Sequence, residues 1–171
     1  RDRLRSRGLG DVYKRQILHP EVKFVLLGVG YYSPELDRMK TKIAEYALEE
    51  VISLFPWLNH RETLEYVNNS LFYLTVARYE GLPLAVIEAM SLGKAIVASD
   101  VAGNKDCVQD GYNGRLIPLE KGAFVKAICE LVEDKVKRDL YGNNSRILFE
   151  REFLITNRIQ ELEAIYQSVK L

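Results

Sequence analysis

Leu71 to Asp100, LFYLTVARYEGLPLAVIEAMSLGKAIVASD, decides the fold. The apolar run Leu71 to Thr75 reads as a strand, closed by a polar turn that carries Glu80 and Gly81. Pro83 fixes φ at a value suited to a helix's first turn, LPLAVIEAMSL continues as the helix, and Gly93 supplies a left-handed stop. A second apolar run, Ala95 to Ala98, follows at once. Strand, helix and strand in such close order imply a parallel β-α-β unit.

Within that helix Glu88 is the only charge, among Val86, Ile87, Ala89 and Met90, which predicts burial nearly all round. A carboxylate there needs a partner. At about 1.5 Å per residue it lies roughly 7–8 Å along the axis from the helix start. The start offers N–H groups from Gly81 to Leu84 and the positive end of the helix dipole, a site suited to a phosphate. A phosphate held there carries its ribose back over the first turns, where Glu88 can accept both ribose hydroxyls. Glu80 faces the phosphate from the other side. Two acids eight apart, straddling a helix start, read as a nucleotide-sugar clamp; the plainer alternative is a loop acid and a carboxylate paired with a core cation.

The whole chain sets bounds on this reading. Its 171 residues suffice for one sizeable core, and 47% hydrophobic content agrees with a globular domain. Lys plus Arg and Asp plus Glu number 24 each, so no overall field draws the chain to nucleic acid or anionic lipid. Cys107 and Cys129 are too few for a disulfide framework and fit small buried groups in a reducing compartment, the cytoplasm. No run of about eighteen apolar residues predicts a membrane span.

Residues 1–16, RDRLRSRGLGDVYKRQ, are basic and without regular apolar spacing. A basic arm is one reading; however, Asp11 to Gln16 resembles the translation of a transposon end used in sequencing libraries, so 1–16 is set aside as a non-native leader and 17–171 is taken as the domain. Val22 to Leu27 is predicted as a central strand ending in Gly28-Val29-Gly30, a turn that permits close ligand approach or is merely steric. Ser33-Pro34 opens a helix with Leu36, Met39, Ile43, Tyr46 and Ala47 inward. Val51 to Phe55 is the next strand, and Pro56 to Asn59 follows it; Trp57 is read as packing, with nucleobase contact as the alternative. A helix from His60 turns Leu64 and Val67 inward. Neither His19 nor His60 has a companion at metal-ligand spacing, and both are assigned to solvated surface. Beyond Asp100 come a turn, a short helix around Asp106 to Gln109, the turns Asp110-Gly111 and Asn113-Gly114, and an edge strand from Arg115 to Pro118. The remainder is predicted helical, with apolar stripes at Phe124, Ile128, Leu131 and Val132; at Val136, Leu140 and Ile147, broken near Gly142; and at Phe153, Ile159, Leu162, Ile165 and Tyr166.

Glu80-Gly81-Leu82-Pro83 through Glu88-Ala89-Met90, with Gly93, Ser99-Asp100, Gly103, Asp110-Gly111 and Asn113-Gly114 in order, resembles the donor-binding domain of the group 1 glycosyltransferases. These are retaining enzymes of the GT-B fold, marked by two glutamates with seven residues between. The resemblance implies an α/β, Rossmann-like parallel sheet with helices on both faces. It implies that Glu80 is catalytic, contacting the donor sugar, that Glu88 holds the ribose, and that Gly81, Leu82, Pro83 and Leu84 hold the diphosphate, with Gly28 and Gly30 beside the donor. The substrate is then a UDP- or GDP-sugar, with no cofactor and no metal required. The expected partner is an acceptor domain preceding this chain, and the full-length parent is expected to work in surface polysaccharide synthesis, peripherally at the inner face of the plasma membrane. Where the family has Gly-Gly and Pro-Glu, this chain has Ala102-Gly103 and Lys105-Asp106. The family's diphosphate-binding Arg and Lys find no match between Ile17 and Leu36, so donor affinity is expected to be weak and the isolated chain inactive. The alternative is a non-catalytic module that binds a nucleotide or a partner protein. A dehydrogenase is disfavoured, since Gly28-Val29-Gly30 lacks the third glycine of a dinucleotide site.

Overall fold

The computed structural model describes residue 19 and residues 21–28, 34–55, 57–120 and 122–168. The arginine-rich residues 1–16, Gly30 and Pro56 lie outside the described residues. In chain order the elements are β1 Phe24–Leu27, α1 Pro34–Glu45, β2 Ile52–Phe55, α2 His60–Asn69, β3 Tyr73–Thr75, α3 Leu84–Ser91, β4 Ile96–Ser99, α4 Ala102–Cys107, β5 Gly114–Ile117, α5 Ala123–Glu133, α6 Lys135–Glu152 and α7 Ile155–Ser168. All strand pairs are parallel: β1 with β2, and β3, β4 and β5 in that order.

β4 is the middle strand of its sheet and is buried on both faces. Its alternation divides the core. Ile96 and Ala98 join Val86, Ala89 and Met90 of α3, Cys107 of α4 and Leu148 of α6. Ala95 and Val97 join Ile117, Phe124, Ala127, Ile128 and Leu131, on the side covered by α5. Helices therefore cover both faces, as the family resemblance implies. Each of the larger aliphatic side chains among these contributes about 1.5–3 kcal/mol on burial. Phe24 of β1 packs against this second cluster and also against Ile43, Leu48, Val51 and Ile52, and so joins the two sheets.

Four expectations are corrected. Val25 of β1 is exposed, so β1 is not the centrally buried strand its apolar run suggested. Val136, Leu140 and Ile147 are also exposed; α6 buries Tyr141, Gly142, Ser145 and Leu148 instead. A face that uses glycine and serine for close approach carries no hydrophobic signal. Nor does α6 break at Gly142: a Cβ there would lie 2.3 Å from the Gly93 carbonyl oxygen, so the glycine allows α6 to press against the end of α3. The short helix after β4 runs over Ala102–Cys107, earlier than expected, because Gly103 packs on the turn before α3.

Two helices end alike with different residues. At Gly93, φ is 66°, and Lys94 N–H donates to the Ala89 carbonyl at 3.0 Å. α1 stops at Glu45, so Ala47, expected inward on the helix, lies past its end: it is exposed and takes the left-handed position, φ 51°, with Leu48 N–H donating to Ile43 O at 2.9 Å. Leu48 is fully buried beside Ile43, and that contact holds the alanine in a conformation glycine prefers.

Two substitutions check this packing by urea unfolding. Ala47→Gly is expected to stabilise the fold by about 0.5–1 kcal/mol, because it removes the left-handed penalty. Gly142→Ala gains about 1 kcal/mol of helix propensity but adds a methyl against rigid backbone, an overpacking cost of about 1–3 kcal/mol, so the midpoint is expected to fall. An unchanged or raised midpoint in Gly142→Ala would show that the α3–α6 approach is looser than described.

Candidate functional site

The turn 76–83 leaves the carboxyl end of β3 and enters α3 at Pro83, which is the N-cap and is buried. One backbone contact holds the turn in place: Gly103 N–H donates to the Glu80 carbonyl at 3.1 Å. A Cβ on Gly103 would fall 2.2 Å from the Gly81 oxygen and 2.6 Å from that of Glu80, so no other residue allows this approach. Beneath it, Ser99 Oγ donates to the Ala77 carbonyl at 2.5 Å, and buried Asn104 donates through Nδ2 to Ser99 O at 2.9 Å. Asn104 Oδ1 is buried without a hydrogen-bond partner among the described residues. The sequence reading missed Asn104, since only the fold brings it under this turn.

The amides of the turn differ from expectation in detail. Pro83 has no N–H, and that of Leu84 donates to the Leu82 carbonyl at 3.0 Å. The N–H groups of Gly81, Leu82 and Ala85 have no acceptor among the described residues. Leu82 and Leu84 are exposed, at 57% and 67%, so their side chains do not plug the helix mouth. Ala85 is a donor that the sequence reading missed.

Glu88 is not deeply buried, because α3 turns Leu84 and Ala85 to solvent and leaves Ile87 half-buried. Its side chain is 39% exposed, and Oε1 lies 2.9 Å from Nε2 of His60. His60 begins α2, whose N-terminus is fixed by a capping box: Asn59 accepts from Glu62 N–H while the Glu62 carboxylate accepts from Asn59 N–H. Glu80 is half-buried, and its carboxylate has no hydrogen bond or ion pair among the described residues. The two acids meet electrostatically at Tyr73, whose phenol is pushed above its ordinary range, first by burial and then by the negative charges of Glu80 and Glu88. Arg78 is exposed on the same turn.

The remaining expected positions are scattered. Gly28 sits at the end of β1 with φ 77°, its N–H donating to Phe55 O at 3.0 Å; the positive φ is reason enough for glycine there. Trp57 is 73% exposed and not a packing residue. His60 is solvated but paired. His19 is not solvated surface: its side chain is 19% exposed, and it meets Cys129 and Glu133, which no local spacing could reveal. Grooves of about 1020 Å³ along α5 and the start of α6, and of about 290 Å³ between α4 and the end of α6, are lined by neither Glu80 nor Glu88. No helix among the described residues is long and apolar enough to cross a membrane.

A parallel sheet covered on both faces, with a glycine-bearing turn at the carboxyl end of a strand, defines a Rossmann-like domain. The chain matches the glycosyl transferases group 1 family over residues 9–147 and belongs to it. It is 29% identical over 166 residues to an uncharacterized glycosyltransferase of Methanocaldococcus jannaschii, covering 94% of this chain and 42% of that protein. It is 27% identical over 150 residues to the UDP-Gal:alpha-D-GlcNAc-diphosphoundecaprenol alpha-1,3-galactosyltransferase of Escherichia coli, covering 87% of this chain and 38% of the other. Among solved structures, the Anabaena protein HepE in complex with UDP and glucose superposes with a TM-score of 0.84 at 19% identity, over 95% of this chain and 44% of that one. The fold is that of GT-B glycosyltransferases, and the chain spans about two fifths of the length of these curated relatives.

The shared neighbourhood of the two acids is open to titration. With tyrosine rings labelled for NMR, Tyr73 is expected to ionise above the ordinary tyrosine range, and Glu80→Gln and Glu88→Gln each to lower it part of the way, since burial remains. A Tyr73 titration that neither substitution moves would separate the acids from one another.

Proposed function

We propose that this chain is the donor-binding domain of a retaining glycosyltransferase that uses a UDP- or GDP-sugar. The observation that carries the reading is an exposed turn with three unengaged N–H donors, flanked by Glu80 and Glu88. Glu88 accepts from the ribose hydroxyls and gives up His60 Nε2 to do so. The amides of Gly81, Leu82 and Ala85 receive the diphosphate, with Pro83 setting their direction, and Glu80 faces the donor sugar as the catalytic carboxylate. Exposed Trp57, just past β2 and three residues before His60, supplies a face for the base.

Charge develops on the departing diphosphate during transfer. Fixed amide donors stabilise it without reorganising, and no metal is required in this scheme. The dipole of α3 adds only about 0.3–1 kcal/mol to an exposed anion, so donor affinity of the 171-residue chain is weak. The Escherichia coli relative is named for UDP-Gal and a diphosphoundecaprenol-linked acceptor, which supports a UDP-sugar donor; a role in surface polysaccharide synthesis at the inner face of the membrane rests on the family resemblance. A separate domain binds the acceptor.

Calorimetry and ligand-observed NMR with UDP and with GDP test the binding step. Glu88→Ala is expected to weaken nucleotide binding at least about tenfold, equivalent to 1.4 kcal/mol, and Trp57→Ala to weaken it less. Glu80→Gln is expected to leave nucleotide binding intact and to abolish transfer in the full-length parent. Nucleotide affinity equal in wild type and Glu88→Ala, or absent from both, overturns the donor reading in favour of a non-catalytic module.

A further inference from the structure

On the face of the sheet opposite α3, a second group of side chains converges that the donor reading does not use. Cys129 and Glu133 stand four residues apart on α5, one turn above the other on the same side of the helix. His19 reaches them from the segment before β1. Its Nε2 lies 2.6 Å from Glu133 Oε1, and its Nδ1 lies 3.3 Å from Glu21 Oε1. One ligand atom from each of His19, Cys129 and Glu133 falls within 4.8 Å of the others.

We infer that His19, Cys129 and Glu133 form a zinc(II) site. An imidazole nitrogen, a thiolate and a carboxylate oxygen are a borderline-soft donor set that suits zinc, whereas calcium and magnesium take oxygen throughout. A tetrahedral zinc with bonds of about 2.0–2.3 Å spaces its ligand atoms about 3.3–3.8 Å apart. The 2.6 Å contact therefore opens by about 1 Å and the wider separations, all within 4.8 Å, close by about 1 Å at most, within the reach of side-chain rotation. Glu21 supplies what metal-binding histidines commonly have: a carboxylate on the far ring nitrogen that keeps the proton there and leaves Nε2 for the metal. The site opens on the groove of about 1020 Å³ that Cys129 and Glu133 help to line, so water completes the coordination. Lys126 and Lys135 line the same groove and oppose the cation, which sets a ceiling on affinity. With its ligands divided between α5 and the segment before β1, the ion ties the start of the domain to its core.

The test uses the full 171-residue chain, reduced and metal-free, titrated with cobalt(II) and then displaced by zinc(II). One equivalent of cobalt is expected to give visible d–d bands of a four-coordinate ion and a thiolate charge-transfer band, both lost on adding zinc. Cys129→Ser should abolish the charge-transfer band, His19→Ala should abolish binding, and Glu21→Gln should weaken it about 10–100-fold. Cys107→Ser should change nothing, because that thiol is buried in the other half of the core. X-ray absorption of the zinc form is expected to show one sulfur at about 2.3 Å with nitrogen and oxygen at about 2.0–2.2 Å. No cobalt spectrum at stoichiometric metal, a thiolate band that survives Cys129→Ser, or one that disappears in Cys107→Ser overturns the site. Unfolding curves of each variant separate lost binding from lost fold.

Discussion

β4 has no solvent-facing side, and everything else in the domain is arranged to keep it so. A four-residue strand of Ile, Val, Ala and Ser cannot be covered from one side only, so α3 and α6 close one face and α5 the other. Small residues set the spacing at the points of contact. Gly114 brings β5 against the Ile96 carbonyl, Gly142 brings α6 against Gly93, and Gly103 brings α4 against the turn before α3. In each case a single methyl would collide with backbone rather than with a side chain that could move.

The candidate donor site follows from that packing. Gly103 holds the Glu80 carbonyl, and the turn is left with its amides outward; the Ser99 and Asn104 hydrogen bonds support it from beneath. Burial of Val86, Ala89 and Met90 fixes the rotation of α3, which leaves Glu88 at the edge beside His60. The polar groups at the surface are placed by apolar contacts below them.

How much of this the sequence disclosed depends on the range of the interaction concerned. The β3–α3–β4 unit was legible because its signals are local: two apolar runs, a proline and a glycine. The family was legible from the spacing of Glu80 and Glu88 and the glycine turns that follow them. The burial of Glu88 was overestimated, since counting apolar neighbours along a helix does not say which side meets the core. The buried face of α6 was misassigned because Gly142 and Ser145 mark it, and apolar Val136, Leu140 and Ile147 point outward. The contact of His19 with Cys129 and Glu133 spans 114 residues at its widest, and no periodicity registers such a distance.

The seam between α3 and α6 also has a consequence for synthesis of the chain on the ribosome. Arg146 donates to the Ser91 carbonyl across 55 residues, and Gly142 meets Gly93 over nearly as long an interval. Translation at about 5–20 residues per second leaves about 3–11 s during which the β3–α3–β4 unit has emerged and its cover has not. Through that interval Val86, Ala89 and Met90 are bare to solvent. Apolar surface exposed in this way is prone to aggregate, and it is covered only when the late helix arrives.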